Sequence, residues 1–509
     1  MARKIVTIAP PTPNGDLHLG HISGPYMAAD VYARVRRLRG DDVVLLCYAD
    51  DYQSYLARKA RELNVERFAL GRENGTKIAE TLRMIDIELD WFHQAGHNDY
   101  FRRAVTQFYT AARDSGNVVS KASRIPYFPA FDMYGYEAFG RGDCNHCGAS
   151  SDASQCEDCA HAPDVTKMEN IRCTLGPSEV EWRTVEREYL RLDAFRGFLR
   201  SLYETKALRP HLRAYLEEVL ALPDLDWAVT RPHEYGIELD EPGQPNVHTW
   251  FSGIAGYFAT FCEWADRQGK PELIDAWLKD RDTGLVHFLG FDCSFSHAIA
   301  YPVLLSLVDG FQRDVQIYTN RFLKLEGEDF STSRGHAIWV RDILKTHPAD
   351  AVRTYLALNS PEEAVCNFSM AEFSAWYETA FNGKLNRLRD TLFNANQKQA
   401  FIAIAACDRA AFNTLLRDWR HAGSEGAFSM RRLARVCASV LDLAADAAVH
   451  RAADARMLLA AYAVLSSPIH PAWSSALMQR IGLEQSVAAE WLDAALAAAS
   501  SEPLVLEAA

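Results

Sequence analysis

The chain has 509 residues, of which 48% are hydrophobic and 24% are charged, and its formal net charge is -13. This length predicts about three compact units, and the composition excludes collagen-like and disordered chains. The acidic balance argues against a general nucleic-acid coat, so any RNA contact must be local. No apolar run reaches the roughly 20 residues that cross a bilayer, and the N-terminus is not typical of a signal peptide. We therefore expect a cytoplasmic protein that does not bind a membrane.

The first elements predicted along the chain are a strand, a loop and a helix. Residues 4–9 form a short β-branched run, and a helical pattern extends from Gly20 to Leu38. A second apolar run at 43–47 is followed by Asp50 and Asp51, so two buried strands flank a helix. In a parallel sheet built from such units, the ligand crevice lies at the carboxyl ends of the strands.

Later segments predict the rest of this sheet and a helical bundle. A Gly-, Ser- and Asp-rich stretch near 141–165 interrupts the α/β pattern and is interpreted as an insertion. Apolar runs resume at 285–289 and 315–318, and from about Glu372 only long amphipathic helical patterns remain. The sequence predicts an α/β protein with a Rossmann-type parallel sheet that is split by the insertion and followed by a C-terminal α-helical bundle.

The insertion carries four of the 11 cysteines, in two Cys-x2-Cys pairs: Cys144, Cys147, Cys156 and Cys159. Four thiolates at this spacing suit a tetrahedral Zn²⁺ site that is closed and therefore structural. The alternative is a set of four free thiols in a reducing compartment.

Two further motifs suit phosphate groups. His18 and His21 lie three residues apart where a loop enters a helix N-terminus, which favours binding of a polyphosphate; the alternative is a pair of capping or surface histidines. A second loop combines hydroxyls with a guanidinium, and an ordinary solvated loop is its alternative: Ser331, Thr332, Ser333 and Arg334.

In this order, the three motifs resemble those of a class I aminoacyl-tRNA synthetase, and the cysteine insertion resembles that of the methionyl type. His18-Leu19-Gly20-His21 matches the family's HIGH motif, and residues 329–333 stand at its KMSKS loop. The resemblance implies five regions: a first catalytic half (1–115), a connective insertion with a zinc knuckle (116–225), a second catalytic half (226–322), a KMSKS-like loop with a stem-contact region (323–371) and an anticodon-binding-like bundle (372–509).

The resemblance implies that ATP, with Mg²⁺, activates an amino acid to an aminoacyl adenylate. The residues that it implies for catalysis are His18, His21, Ser331, Thr332, Ser333 and Arg334. Those that it implies for ATP binding are Pro11, Asn14, Gly20, Gly290 and Asp292. The amino acid would contact Thr12, Asp51, Trp250, Ile254, Tyr257, Ser296, His297 and Tyr301, with Asp51 facing its ammonium group.

The chain departs from the methionyl pattern at the pocket walls. The family has Tyr, Pro, Phe and Trp where this chain has Thr12, Ile254, Ser296 and Tyr301. Exchanging aromatic walls for hydroxyls changes shape and hydrogen bonding together, which favours a smaller or more polar amino acid than methionine. The KMSKS-like loop also lacks both lysines, since Asp329 and Thr332 occupy their places.

The predicted bundle departs from the family in its RNA contacts. Asn386 resembles the anticodon-reading Asn, but Asp390 follows one turn later where an Arg is expected, and residues 444–450 contain no Trp. Losing a cation and a stacking platform weakens anticodon reading.

These features leave three hypotheses for function. The first is a ligase that passes the activated acyl group to a non-tRNA acceptor in specialised metabolism, such as an N-hydroxylated amine on the way to a hydrazine, with a separate cupin partner. The second is a methionine-tRNA ligase that charges tRNA. The third is a non-catalytic tRNA-binding paralogue, against which the intact His18 and His21 argue.

Overall fold

The computed structural model describes residues 2–231, 236–239, 246–311, 315–330, 335–393 and 406–500. Strands and helices alternate over the first part of the chain, as the apolar periodicity predicts. Their bounds are β1 (Arg3–Ile8), α1 (Leu19–His21), a π-helical turn (Ile22–Tyr26), α2 (Met27–Leu38), β2 (Asp42–Ala49), α3 (Ser54–Leu63), α4 (Arg67–Met84), β3 (Trp91–Gln94) and α5 (Asp99–Asp114).

The helix predicted from Gly20 to Leu38 is interrupted near its start. Pro25 lies inside the π-helical turn, and Gly24 beside it has non-helical backbone angles. Proline has no backbone N–H to donate, so a regular α-helical ladder cannot pass through this position. The prediction of one continuous helix is therefore wrong over this turn.

The predicted insertion consists mainly of antiparallel strands. The longest pair runs from Val118↔Leu190 to Tyr127↔Glu181. The bounds are β4 (Val118–Phe128), β5 (Met133–Tyr134), β6 (Glu137–Asp143), β7 (Ser150–Ala153), β8 (Glu169–Cys173), β9 (Glu181–Arg191), α6 (Arg196–Glu204), α7 (Pro210–Val219), β10 (Asp226–Ala228), β11 (Thr230–Arg231) and β12 (Asn246–Val247).

The sheet then resumes, as predicted from its apolar runs. The bounds are α8 (Gly253–Arg267), α9 (Leu273–Leu278), β13 (Thr283–Gly290), a π-helical turn (Phe295–Ala300), α10 (Tyr301–Leu307) and β14 (Val315–Asn320). The five parallel strands have the order β14-β13-β1-β2-β3. The chain leaves β1 toward β2 on one side and returns through β13 on the other, so the switch point lies between β1 and β13.

A small sheet connects this core to the C-terminal helices. The connecting elements are β15 (Leu323–Leu325), β16 (Glu328–Asp329), α11 (Val340–Ile343), α12 (Ala349–Leu358) and β17 (Cys366–Phe368). The helices that follow are α13 (Met370–Trp376), a π-helical segment (Tyr377–Asn386), α14 (Arg387–Leu392), α15 (Ala406–Ala422), α16 (Met430–His450), α17 (Ala452–Ser466), α18 (Pro471–Ile481) and α19 (Gln485–Ser500). The predicted α/β fold with C-terminal helices is confirmed, while the exact domain boundaries stay a prediction.

A buried ion pair fixes the C-terminal helices to the five-stranded parallel sheet. Arg353 is fully buried, and its Nη2 donates to Oδ2 of Asp30 on α2 at 2.6 Å. Its other donors reach backbone carbonyls of Ile85 and Ile469. Because every group of this buried guanidinium is satisfied, the pair holds α12 and the bundle in one register against the sheet.

Among the described helices, none is both long and apolar enough to span a bilayer.

Candidate active site

A cleft of about 710 Å³ opens at the carboxyl ends of β1 and β13. This is the crevice position expected at the switch point of a parallel sheet. Residues that the sequence assigned to ATP and to the amino acid meet here: Pro11, Thr12, Asn14, His18, Gly20, His21, Trp250, Gly290, Asp292, Ser296, His297 and Tyr301.

His18 and His21 lie side by side where α1 begins. Their ring centroids are 3.8 Å apart, and the backbone N–H of His18 donates to Nδ1 of His21 at 3.2 Å. Burial lowers the pKa of His18 to about 2 and that of His21 to about 4, so both rings are neutral at pH 7. Because Nδ1 of His21 accepts a bond, its proton lies on Nε2. The pair can therefore place neutral hydrogen-bond donors beside an anion.

The predicted loop of hydroxyls and a guanidinium lies outside the described residues. It consists of Ser331, Thr332, Ser333 and Arg334. Its flank does reach the histidines, since the ring of Phe330 stacks on that of His18 with centroids 4.9 Å apart. Asp329 is exposed and lies 3.6 Å from Nζ of Lys324. The described cations of the cleft wall are Arg321 and Lys324, which lie at the end where phosphate would be expected.

The opposite end of the cleft is a polar, aromatic pocket. Tyr257 Oη and His297 Nε2 lie 2.9 Å apart, and His297 Nδ1 donates to the carbonyl of Cys293 at 3.1 Å. Tyr301 donates its hydroxyl hydrogen to the carbonyl of Trp250 at 3.0 Å. A Cβ added at Gly253 would lie 1.7 Å from that hydroxyl oxygen, so glycine is required for this close approach. The pocket wall thus carries hydroxyls held in fixed directions.

The two adjacent aspartates after β2 face different directions. Asp51 points away from the cleft, and its Oδ2 accepts from the backbone N–H of Gly96 at 2.7 Å. Asp50 lines the cleft, accepts from Nε2 of Gln53 at 2.7 Å, and leaves Oδ1 without a partner. Burial raises the pKa of Asp50 to about 8, so a nearby cation would favour its ionised form. The structure therefore places Asp50 at the cleft where the sequence prediction had Asp51.

Ile254 and Tyr257 do not line the cleft itself. Both lie on α8 and contribute to a separate apolar cavity of about 30 Å³ behind it. Ile254, the second residue of α8, is packed in the core at 2% exposure and does not reach the cleft. Tyr257 acts on the pocket only through its bond with His297.

One cleft residue that the sequence analysis missed comes from the cysteine insertion. Nε2 of Gln155 donates to Oδ2 of Asp292, which follows β13. Burial raises the pKa of Asp292 to about 7. A glutamine outside any motif gives no sequence signal, although its position directly before Cys156 ties the knuckle to the cleft.

The four predicted cysteines form a cluster that fits a metal ion. Their Sγ atoms all lie within 4.8 Å of one another, with 3.8 Å between Cys144 and Cys159 and 3.6 Å between Cys147 and Cys156. A tetrahedral Zn²⁺ with Zn–S bonds of about 2.3 Å places its sulfurs about 3.8 Å apart. Gly148, at φ +77, allows the tight turn after the first pair. The donor set and its geometry therefore fit structural zinc.

Buried neutral histidines predict a loss of stability in mild acid. Burial lowers the pKa from 6.5 to between about 2 and about 4 for His18, His21, His211, His248, His297 and His470. Below about pH 6.5 the unfolded chain protonates these rings while the folded chain does not, so the free energy of unfolding falls. Raised carboxyl pKa values act in the opposite direction over this range. Among the described residues they occur at Asp50, Asp51, Asp86, Glu157, Asp292 and Asp350, but the pKa shift is large only at Asp50, Asp51 and Asp292.

We expect the free energy of unfolding, measured in urea, to decrease from about pH 6.5 to about pH 4.5. A value that rises as the pH is lowered over this range would contradict the neutral state of these histidines.

Comparison with known proteins identifies the family of this chain. The family described as tRNA synthetases class I (M) matches residues 4–390, and the chain belongs to that family. Its relatives include the methionine-tRNA ligase of Pyrococcus furiosus, 30% identical over 395 residues that cover 73% of this chain and 54% of the relative. The methionine-tRNA ligase of Dehalococcoides mccartyi is 30% identical over 384 residues, covering 73% of this chain and 68% of the relative.

A solved structure of similar fold is Mycobacterium tuberculosis methionyl-tRNA synthetase in complex with methionyl-adenylate. It superimposes with a TM-score of 0.75 at 18% identity, covering 97% of this chain and 96% of that chain. At this identity the likeness establishes the fold. The chain spans about half the length, 54%, of the Pyrococcus relatives that it matches.

Proposed function

We propose that the protein uses ATP to activate an amino acid, forming an aminoacyl adenylate and releasing pyrophosphate. The observation that carries this proposal is the neutral, stacked pair His18 and His21 at the phosphate end of a cleft at the sheet's switch point. Membership of the class I tRNA synthetase family supports the same reaction.

In this reaction a carboxylate oxygen of the amino acid bonds to the α-phosphorus, and the bond to the pyrophosphate oxygen breaks. No side chain needs to act as a nucleophile, so the protein contributes position and charge stabilisation. We assign His18 and His21 to donate hydrogen bonds to the α-phosphate as its charge develops. Arg321 and Lys324, with the loop Ser331 to Arg334, would face the leaving pyrophosphate, and Mg²⁺ bound with ATP would offset the charge of the missing lysines.

For the remaining contacts we propose the following division. Pro11, Asn14, Gly20, Gly290 and Asp292 hold ATP, since all line the cleft beside the histidines. Asp50, in place of Asp51, accepts the ammonium of the amino acid. Because an ammonium beside it would lower its raised pKa, binding of the substrate and ionisation of this carboxyl favour each other.

We propose that the amino acid is smaller or more polar than methionine. Its side chain would face hydroxyls of Thr12, Ser296 and Tyr301, beside His297. Ser296 and Tyr301 already donate to backbone carbonyls, so their hydroxyl oxygens are left to accept a hydrogen bond. A thioether has no donor to offer them, and leaving a buried acceptor unmatched costs about 1 to 3 kcal/mol, so methionine would be disfavoured here. Trp250 closes the pocket and fixes Tyr301 through its carbonyl.

The acyl acceptor that we propose is a small molecule rather than tRNA. Asn386, at the position that resembles the anticodon-reading Asn, already accepts from Nε1 of Trp473 at 2.9 Å. Its amide donates to Asn382, and Asp390 is exposed beside Arg389. An acidic side chain at this surface repels phosphate, and phosphate contacts dominate affinity for nucleic acids. An N-hydroxylated amine, delivered to or processed by a separate cupin partner, is the acceptor class that we favour.

The second candidate is a methionine-tRNA ligase, because the relatives from Pyrococcus furiosus and Dehalococcoides mccartyi are methionine-tRNA ligases. The experiment that tests the activation step is exchange of radioactive pyrophosphate into ATP with each of the proteinogenic amino acids in turn. We expect exchange that depends on a small or polar amino acid, with methionine a poor substrate. Absence of exchange with every amino acid, in zinc-loaded protein, would contradict activation.

A further inference from the structure

A small cavity, which we call the side pocket, lies beside the cleft, between the insertion and the segment before α8. Its volume is about 60 Å³, and it shares three wall residues with the cleft: Gln155, Trp250 and Asp292. A cavity needs about 10 to 15 Å³ by this measure to hold one water, so the side pocket has room for a group of several atoms. The shared walls place it next to the cleft in which the adenylate would form.

The side pocket contains a buried cation that makes no ion pair with any residue that the structure describes. Arg187, on β9, is 5% exposed, and its Nε makes no hydrogen bond. Its guanidinium reaches only the hydroxyl of Tyr189, at 3.4 Å from Nη1. The neighbouring Arg231 differs, because its Nε donates to Glu137 at 2.8 Å. Burial, with the nearby Arg231, lowers the pKa of Arg187 to about 10.

Two more donors of this wall have no partner. Oγ of Ser154 and Nε1 of Trp250 are buried without a hydrogen bond. Asp164 and Glu137 lie near enough to favour the charged form of Arg187, but neither bonds to its guanidinium. The nearby carboxylates have other partners: Asp226 pairs with Lys121, Asp164 with Lys167, Glu137 with Arg231, and Asp292 accepts from Gln155. Leaving a buried charge and several donors unpaired is costly, so such a set favours an anionic ligand that accepts from them.

We propose that the side pocket binds the carboxylate of a small-molecule acyl acceptor and so directs the acceptor's nucleophile toward the adenylate. A carboxylate has the size of the pocket and matches the planar fork of Arg187. This inference rests on the proposed function, since it assumes that an adenylate forms in the cleft. It makes the acceptor a carboxylic acid that carries a nucleophilic nitrogen or oxygen, a class that includes N-hydroxylated amines with a carboxylate.

The transfer that follows balances without a redox partner. The lone pair of the acceptor's nitrogen or oxygen forms a bond to the acyl carbon of the adenylate. The bond from that carbon to the phosphate oxygen breaks, AMP leaves with the electron pair, and the proton of the nucleophile passes to solvent. Arg187 binds the far end of the acceptor in this scheme and does not touch the reacting atoms.

The test uses full-length protein that carries preformed adenylate and has been freed of ATP by gel filtration. Nucleophiles that differ by a carboxylate are added in pairs at equal concentrations of unprotonated amine, glycine against methylamine and lysine against cadaverine, and loss of adenylate is followed. We expect the carboxylate-bearing member of each pair to discharge the adenylate about 10- to 100-fold faster at subsaturating concentration. In Arg187→Gln this preference should disappear, and Arg187→Lys should restore part of it.

Arg183→Gln is the matched control, because Arg183 lies on the same strand, is solvent-exposed and pairs with Glu181. It should keep the full preference. Equal discharge by both members of each pair in the wild-type protein would overturn the inference and leave activation standing. A preference that survives in Arg187→Gln, or a discharge by tRNA that Arg187→Gln slows instead, would also overturn it. Absence of any adenylate would contradict the proposed function itself.

Discussion

Replacing His18 or His21 with Ala is expected to slow amino-acid-dependent exchange of pyrophosphate into ATP by about 100- to 1,000-fold. Both rings are neutral and buried at the end of the cleft, so their donors gain most when charge develops on the α-phosphate. Apparent affinity for the amino acid should change little, because its pocket lies at the other end of the cleft.

The matched control is His421→Ala, which removes an exposed imidazole near the end of α15. It should leave exchange unchanged. If His18→Ala and His21→Ala raised only the KM for the amino acid and kept kcat, the assignment of these histidines to the α-phosphate would be wrong.

Removing zinc is expected to have the next largest effect, by unfolding the knuckle around the four cysteines. Structural zinc in small sites contributes about 10 to 16 kcal/mol to the folding of the segment that holds it. Freshly purified protein should contain one zinc per chain, and Cys156→Ser should lose it and exchange amide hydrogens rapidly over residues 144–161. Activation should weaken as well, since Gln155 next to Cys156 orients Asp292.

Cys173→Ser provides the control for this experiment, because Cys173 lies in the same insertion, on β8, outside the cluster. This variant should retain zinc, and its amide hydrogens over residues 144–161 should still exchange slowly. Full amide protection over the knuckle in zinc-free protein would show that the metal is not structural.

Local patterns in the sequence were sufficient to predict the strands of the sheet and the metal cluster. The apolar runs at 4–9 and 285–289 predicted strands that pair directly as β1 and β13. The spacing of Cys144, Cys147, Cys156 and Cys159 predicted the cluster, because a tetrahedral ion demands that spacing whatever surrounds it. Features that depend on residues close together in the chain can be predicted from the sequence in this way.

The orientation of individual side chains and the contacts between residues far apart in the chain could not be predicted from the sequence. Asp50 and Asp51 are chemically identical neighbours, and only the backbone N–H of Gly96, 45 residues later, decides that Asp51 faces away from the cleft. The family resemblance implied that Ile254 contacts the amino acid, but α8 buries it in the core. No sequence motif marks Arg187. What distinguishes it is a buried Nε that has no hydrogen-bond partner among the described residues, and only the packed structure shows this.

The central claim is that this chain activates an amino acid without tRNA. The most direct test measures exchange of pyrophosphate into ATP by RNase-treated, zinc-loaded protein with each amino acid, with and without added methionine tRNA. We predict exchange with a small or polar amino acid at a rate that tRNA does not change, and no acyl transfer to the tRNA. Exchange that responds only to methionine, with charging of methionine tRNA at the rate of an ordinary synthetase, would contradict the account.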